Sequence, residues 1–330
     1  MRSLLLALVA TLASLAMGEC VLRGAGLEPT PPPLDPSEHD ADWPQPDPVL
    51  GWSNRPGTGH SNEQGHVAMT FGPDGQRASS RVGDPPRGHS VWLMGCSFTA
   101  GVGVADDETF AWRLNERYPD FHFENHGVPG YGTYQSLLLL ERLLRERRGT
   151  PPDLVVYGFI GDHVRRNVAP LSWLRQLKSS RGLYEVPPHV TLEGDGMAEH
   201  PPGVIAAWPL ERHSAMVRAL HDLSFGHPPN RGRRMLLATS RLIERMNREV
   251  EEAGSHLLVA VLDDLPPRTQ AFMADGHIAY VDCREPPYKS DPKYQVGGVG
   301  HPSGLRHALW SECLARAFDA QGLLPPPSGR

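Results

Sequence analysis

The sequence predicts a three-layer α/β/α sandwich around a parallel sheet of five strands. From residue 89 onward, short apolar runs alternate with longer segments that have the apolar spacing of amphipathic helices. The apolar runs lack a polar alternation, which is typical of strands that are covered on both faces. Polar or glycine-rich segments follow several of these runs directly, at the strand ends where open parallel sheets bind ligands.

Each predicted element follows from its own stretch of sequence. The predicted strands are residues 91–95, 121–126, 154–160, 256–262 and 277–283, and the predicted helices are 107–118, 134–148, 235–253 and 306–321. The stretch 168–232 breaks the alternation with "PPHVTLEGDGMAEHPPGV" and "FGHPPNRGRR". We therefore expect it to be an insertion over one end of the sheet.

The first 23 residues predict either a signal peptide or an N-terminal membrane anchor. Arg2 precedes an apolar run that has no charge until Glu19, and the small residues Ala16 and Gly18 stand where a cleavage site would need them. The run is short for a spanning helix, and could span if Glu19 were accommodated near an interface. Both interpretations predict export to a periplasmic or extracellular location.

The rest of the chain divides by composition. Residues 24–48 are rich in proline and acidic residues, as in an extended linker. Residues 49–87 carry scattered apolar residues broken by turn signals, which predicts an N-terminal extension of short strands. The main domain is expected over 88–323, and 324–330 form a C-terminal tail.

Composition excludes several classes of protein. The formal net charge of -6 gives no basic surface, so nucleic acid is not an expected partner. The chain has four cysteines without a CxxC pair, so no metal site is predicted and a disulfide framework is disfavoured, with a single bridge left open. No organic cofactor is predicted either.

Three segments at predicted turns carry the functional information. They are "GCSFTAGVGV" at 95–104, "NHGVPGYGT" at 125–133 and "HPSGLRH" at 301–307. In order and spacing they resemble the first, second and fifth blocks of the SGNH/GDSL hydrolase superfamily. The resemblance implies a flavodoxin-like sheet, with Ser97 as nucleophile, His301 as general base, and the amides of Ser97 and Gly130 as oxyanion donors.

The implied chemistry is hydrolysis or transfer of an acyl ester. A serine hydroxyl is a weak nucleophile until a neighbouring imidazole takes its proton. The tetrahedral intermediate then needs preorganised hydrogen-bond donors around its oxyanion. Taken alone, Ser97 could equally cap the helix that follows the strand, because serine is a favoured cap residue.

The chain departs from the family pattern at three positions. Cys96 replaces the aspartate that precedes the nucleophile, and is expected to be a buried residue of no chemical role. Gly161 stands where the third block has an asparagine that donates to the oxyanion, so that donor is either missing or replaced by His163 or Arg165. Gly298 stands where the last block has the aspartate that orients the histidine. His301 would then act in a dyad with Ser97, or with help from Asp162, Asp291 or a backbone carbonyl.

The sequence therefore predicts a serine ester hydrolase with non-standard supporting residues. Its expected substrate is an acyl ester, with O-acyl groups on an envelope or extracellular polysaccharide as the target. The alternatives are a catalytically impaired binding protein of the same fold and an acyl transferase. His307 is a weaker alternative to His301 as the base. His126 could face the substrate or could equally be a packed residue of the core.

Overall fold

The computed structural model describes residues 2–30, 44–61, 67–81, 88–177, 179–180, 183–194, 196–225, 231–265, 269, 271, 278–296 and 300–324. Its helices are α1 (Arg2–Gly24), α2 (Ser97–Ala100), α3 (Phe110–Arg117), α4 (Thr133–Glu146), α5 (His163–Arg166), α6 (Leu171–Leu174), α7 (Ala215–Ser224), α8 (Arg231–Glu252) and α9 (Gly304–Gln321). Its strands are β1 (Pro44–Asp47), β2 (Gly51–Asn54), β3 (Gly57–Ser61), β4 (Val67–Phe71), β5 (His89–Gly95), β6 (Phe121–Gly127), β7 (Leu154–Phe159), β8 (Ser179–Ser180), β9 (Leu183–Val186), β10 (His189–Glu193), β11 (Gly196–His200), β12 (Gly203–Ala206), β13 (His256–Val261) and β14 (Tyr280–Asp282).

The central sheet has five strands in the order β14-β13-β7-β5-β6. Every neighbouring pair is parallel. Counted along the chain, this order is 2-1-3-4-5, the flavodoxin-like arrangement, whose strand order reverses between β5 and β7. The predicted fold class is thus confirmed, and the crevice at the reversal point lies between the ends of these two strands.

The two faces of the sheet are covered by different helices. Trp92, Tyr157 and Val259 pack with residues of α4 and α8 in one apolar cluster. Their immediate neighbours along the strands, including Leu93, Val156 and Leu258, pack with residues of α3 and α9 in the other. Since successive side chains of a strand point to opposite faces, both faces are apolar, which explains the unbroken runs in the sequence.

The predicted boundaries differ from the observed ones at a few ends. The predicted helix 107–118 is two elements, a 3₁₀ turn at Asp106–Glu108 and α3. Thr109 separates them, because it is extended and its hydroxyl accepts a hydrogen bond from the Trp112 amide as the cap of α3. The fifth strand is also shorter than the predicted 277–283, and residue 277 lies outside the described residues.

The N-terminal extension consists of two antiparallel hairpins, β1–β2 and β3–β4. Arg77, which follows β4, is fully buried. Its guanidinium donates to the carbonyls of Ala100 (2.7 Å), Gly101 and Val104 (2.6 Å), and its Nε lies 3.0 Å from Oδ1 of Asp106. The extension therefore satisfies the backbone carbonyls that end α2 and begin the following loop.

Replacing Arg77 with methionine is expected to lower the free energy of unfolding by about 3–5 kcal/mol, because three carbonyls and a carboxylate lose their buried partner. Arg117→Met is the matched control, since the exposed Arg117 pairs with Glu312 at 3.1 Å and such surface pairs contribute about 1 kcal/mol or less. Urea unfolding of both variants measures the difference. Equal midpoints for the two would contradict the structural importance of Arg77.

The chain forms two compact units. The larger, residues 36–169, 187–202 and 232–330, contains the sheet, and the smaller comprises residues 1–35, 170–186 and 203–231. The stretch 168–232 is distributed over both, because the hairpin β10–β11 belongs to the larger unit. Residues 31–43 of the expected linker and 325–330 of the expected tail lie outside the described residues.

The single bridge that the sequence left open is present. Cys283, after β14, is joined to Cys313 on α9. Cys20 is free and exposed, and Cys96 is free and buried.

Candidate active site

Ser97 is the first residue of α2, directly after the carboxyl end of β5. Cys96 precedes it in an extended conformation, and Ser97 is only 5% exposed. At the first position of a helix the amide N–H has no intrahelical acceptor. Within the described part of the chain the Ser97 amide donates to no other backbone group, so this amide is available to a bound molecule. The Ser97 side chain is hydrogen-bonded to the neighbouring Cys96.

The end of β6 holds this turn in place. The buried Asn125 donates its Nδ2 to the Thr99 carbonyl (2.9 Å), and its Oδ1 accepts the Gly127 amide (3.0 Å). A Cβ on Gly127 would lie 2.3 Å from the Ala100 nitrogen, so only glycine allows so close an approach. The first and second sequence blocks therefore meet backbone to backbone.

Gly130 lies in a tight turn that continues from β6. The Tyr131 amide donates to the Val128 carbonyl (3.2 Å), Pro129 stands second in the turn, and Gly130 has φ +85°. Proline followed by a residue of positive φ is the signature of a type II turn. The Gly130 amide is not engaged by any group in the residues that the structure describes.

Trp52 of β2 fixes the orientation of this turn. Its Nε1 donates to the Pro129 carbonyl (2.8 Å), and its own carbonyl accepts the Tyr131 hydroxyl (2.5 Å). In a trans peptide the carbonyl and the following N–H point in opposite directions. The hydrogen bond from Trp52 to Pro129 therefore points the Gly130 amide away from the β1–β2 hairpin. The two residues are 77 positions apart, so no local sequence pattern predicts this contact.

His301 comes to the same place from the other end of the chain. Its ring packs edge-on against Phe98, the residue after Ser97, with centroids 5.9 Å apart. Its carbonyl accepts the Val296 amide (2.7 Å), which anchors the turn before α9. The Nδ1 atom is shielded from solvent. The first and last sequence blocks are thus adjacent, as the resemblance implied.

The carboxylates considered as orienting partners for His301 have basic partners of their own. Asp162 pairs with Arg165 at 3.0 Å and lies 3.7 Å from Arg166. Asp291 pairs with Lys293 at 3.0 Å and accepts its amide. Gly298 lies outside the described residues.

His163 is fully buried in the core. Its Nδ1 lies 2.7 Å from the Tyr157 hydroxyl, and its ring packs against Phe159. Burial lowers the pKa of His163 well below its usual value, so the ring is neutral. Because positions 163 and 166 share the inner face of α5, Arg166 is buried with it, while Arg165 faces outward.

Arg166 is a buried basic residue that the three sequence blocks do not include. Its Nη1 donates to the Tyr131 carbonyl (3.0 Å), so it touches the turn that carries Gly130. Its guanidinium also lies beside the Cys96 thiol. Burial raises the pKa of that thiol more than the charge of Arg166 lowers it, which keeps Cys96 protonated and unreactive.

Two other histidines are structural. His307 is fully buried, stacks on Phe110 and accepts that residue's amide at Nδ1 (3.3 Å). Burial lowers the pKa of His307 to about 3. His126 lies 3.3 Å from Glu124 against the ring of Trp92, on the core side of β6. Across the described residues, no group of three or more His, Cys, Asp or Glu could hold a metal ion.

Comparison with known proteins finds no matching family model and no matching curated protein. Solved structures do match. TesA aligns at 16% identity over 72% of this chain and 100% of its own, with a TM-score of 0.44. A lipolytic G-D-S-L protein from Veillonella parvula aligns at 10% identity over 70% and 99% (TM-score 0.41). The esterase EstA from Pseudoalteromonas sp. aligns at 11% over 71% and 98% (TM-score 0.41).

The resemblance of this chain to SGNH/GDSL hydrolases rests on its three sequence blocks. At these identities the chemistry has to be inferred from this chain's own residues. Those residues are Ser97, His301 and the Pro129–Gly130 peptide, together at the carboxyl edge of the sheet.

Proposed function

We propose that this protein is a serine ester hydrolase in which Ser97 is the nucleophile and His301 the general base. The observation that carries the proposal is the meeting of three groups at the ends of β5 and β6. These are a serine on a strand-to-helix turn, a histidine packed on the next residue, and a turn whose glycine amide is aimed outward by Trp52. A nucleophile, a base and two amide donors are the minimum set for acyl transfer through a serine.

The reaction follows from these roles. Ser97 Oγ attacks the ester carbonyl carbon while His301 takes the hydroxyl proton, and the carbonyl oxygen becomes an oxyanion bound by the amides of Ser97 and Gly130. The C–O bond to the alcohol breaks as His301 returns the proton to the leaving oxygen. Water then attacks the acyl-enzyme with His301 again as base, which releases the acid and restores the serine.

Arg166 would compensate for the missing asparagine of the third block. Its guanidinium is buried and touches both the Cys96 turn and the Tyr131 carbonyl. A fixed positive charge at this depth favours negative charge that develops nearby, which is the effect that an oxyanion donor supplies. This assignment replaces the expectation that His163 or Arg165 takes that role.

The proposed substrates are O-acyl groups on an envelope or extracellular polysaccharide. Support for an exported setting comes from the disulfide between Cys283 and Cys313 and from α1, a helix long and apolar enough to cross a membrane. Transfer to an acceptor sugar uses the same acyl-enzyme, with a sugar hydroxyl in place of water. Adding an acceptor and measuring acylated product separates the two outcomes.

A fluorophosphonate probe tests the nucleophile directly. We expect the intact chain to be labelled on the peptide that contains Ser97, with Ser97→Ala unlabelled and Cys96→Ala, the matched neighbour, labelled as before. Mass spectrometry of the digested protein locates the adduct. A folded chain that neither takes the label nor turns over p-nitrophenyl acetate would instead be a binding protein of this fold.

A further inference from the structure

The smaller unit carries an apolar surface that the proposed chemistry does not use. Outside α1, most of the large apolar side chains exposed in the described part of the chain belong to this unit. They are Leu183, Val204, Trp208, Leu210, Leu220, Leu223 and Phe225. Single exposed apolar residues are ordinary, but a concentration of them marks an interaction surface.

Helix α7 presents part of this surface as a stripe. Met216, Leu220 and Leu223 are spaced i, i+4 and i+7 and therefore share one face. Leu220 is 49% exposed and Leu223 is 62% exposed. The opposite face contains His221, whose Nδ1 lies 2.5 Å from the buried carboxylate of Glu211. The helix is thus fixed to its own unit by the polar face, and Leu220 and Leu223 of its apolar face are exposed.

The stripe is continuous with α1. A Cβ on Gly18 would lie 2.5 Å from Cε of Met216, so the two helices touch where the stripe begins. None of the residues of α1 is buried, and the helix is long and apolar enough to span a bilayer. Its 23 residues correspond to about 34 Å, compared with roughly 30 Å of hydrocarbon.

Glu19, the charged residue that interrupts the apolar run of α1, has hydrogen-bond partners at the start of α7. The Glu19 carboxylate accepts the amides of Ala215 (2.8 Å) and Met216 (3.0 Å) and the hydroxyl of Ser214 (2.7 Å). A carboxylate with three donors at a helix N-terminus can lie at a membrane interface, which an unpaired one would avoid. The Glu19 carboxylate can therefore lie at the interface end of α1, held by the folded unit.

Leu210, in the same unit, is both strained and exposed. Leu210 has φ +68°, a conformation that costs a side-chain-bearing residue about 1–2 kcal/mol, and it is 65% exposed. Neither the strain nor the exposure of an apolar side chain is favourable in water. Nearby Trp208 and Phe225, both partly exposed, pack on the ring of His221. Aromatic side chains that are partly in contact with water are enriched at the level of the lipid headgroups in membranes.

We propose that α1 is retained as a membrane anchor and that Leu210, Leu220 and Leu223 insert into the outer interface of the bilayer that α1 crosses. The occupant of the surface is lipid, because the surface continues from α1, a helix that is long and apolar enough to cross a bilayer. Insertion of such a face is driven by burial of its apolar area. The proposal does not depend on the esterase assignment.

The test uses the full chain with Cys20→Ser, reconstituted into vesicles of phosphatidylethanolamine and phosphatidylglycerol. An NBD fluorophore is attached at Leu220→Cys or Leu223→Cys, and at Leu237→Cys as a control on an exposed apolar residue of α8 in the other unit. We expect the emission at 220 and 223 to shift to shorter wavelength and to be quenched by doxyl-labelled lipid. The label at 237 should show neither effect.

Two results would overturn the proposal. The first is that the labels at 220 and 223 remain as accessible to water in the vesicles as the label at 237. The same conclusion would follow if their emission shifted equally in detergent and the shift grew with protein concentration, because a second copy of the chain would then cover the surface. The second is an intact mass, for protein isolated from the producing cells, that begins at Glu19 and so lacks the anchor.

Discussion

A Ser97→Ala chain is expected to hydrolyse p-nitrophenyl acetate with a kcat/KM at least about 10⁴-fold below that of the unaltered chain. The alanine removes the proposed nucleophile, Oγ of Ser97, and leaves the amides of residues 97 and 130 in place to bind the substrate. His301→Ala should cost a similar factor, because the Ser97 hydroxyl then has no base to take its proton. Steady-state kinetics of both purified variants measure the two losses.

A variant that carries both Ser97→Ala and His301→Ala tests whether the two residues act together or contribute independently to the rate. Because Ser97 and His301 act in the same step, replacing both should cost little more than replacing either one. Added imidazole should restore part of the activity of His301→Ala and none of the activity of Ser97→Ala. Losses that multiply in the double variant, or a Ser97→Ala chain that keeps its rate, would place the nucleophile elsewhere.

The fold was predictable because its signal is local. The runs around Leu93, Val156 and Leu258 are apolar on both faces of the strand, which only a covered parallel sheet requires. The turn at Pro129–Gly130 was equally predictable, since proline followed by glycine specifies a type II turn. In both cases the residues that cause the structure are adjacent in the sequence.

The groups that support the site were not predictable, because their contacts are long-range. Trp52 bonds to Pro129 and Arg77 binds the loop after α2, and nothing in either residue's neighbours indicates the partner. The basic stretch 163–166 shows a related difficulty. Its sequence does not tell which side chains face inward. His163 was offered as a donor although it packs on Tyr157, and nothing in the sequence distinguishes the buried Arg166 from its neighbour Arg165.

Gly130→Ala is expected to lower kcat about 100- to 1000-fold, the usual effect of losing one oxyanion donor. The new Cβ would lie 2.9 Å from Cζ2 of Trp52, well inside van der Waals contact. The indole cannot move away freely, because its Nε1 is bonded to the Pro129 carbonyl and its ring packs on Tyr131 at 5.9 Å. The turn must therefore tip, and the amide of residue 130 tips with it.

Gly149→Ala separates this effect from backbone strain. Gly149 has φ +91°, close to the +85° of Gly130, but no atom lies within 4 Å of the position its Cβ would take. Both substitutions impose a strain of about 1–2 kcal/mol on the fold, so both should lower the unfolding midpoint in urea. Only Gly130→Ala should change kcat. Equal kinetic losses in the two variants would mean that the Gly130 amide is not a donor.

Trp52→Phe isolates the hydrogen bond that aims the Gly130 amide. The phenyl ring keeps most of the apolar contact with Tyr131 but leaves the Pro129 carbonyl without its donor, and a neutral hydrogen bond of this kind contributes about 1 kcal/mol. We expect kcat to fall by up to about 10-fold with KM little changed, because the oxyanion exists only in the transition state. Trp112→Phe, which removes an exposed bond to Glu116, is the control and should leave kcat as it was. A loss confined to KM in Trp52→Phe would assign the β1–β2 hairpin to substrate binding and not to the orientation of the oxyanion donor.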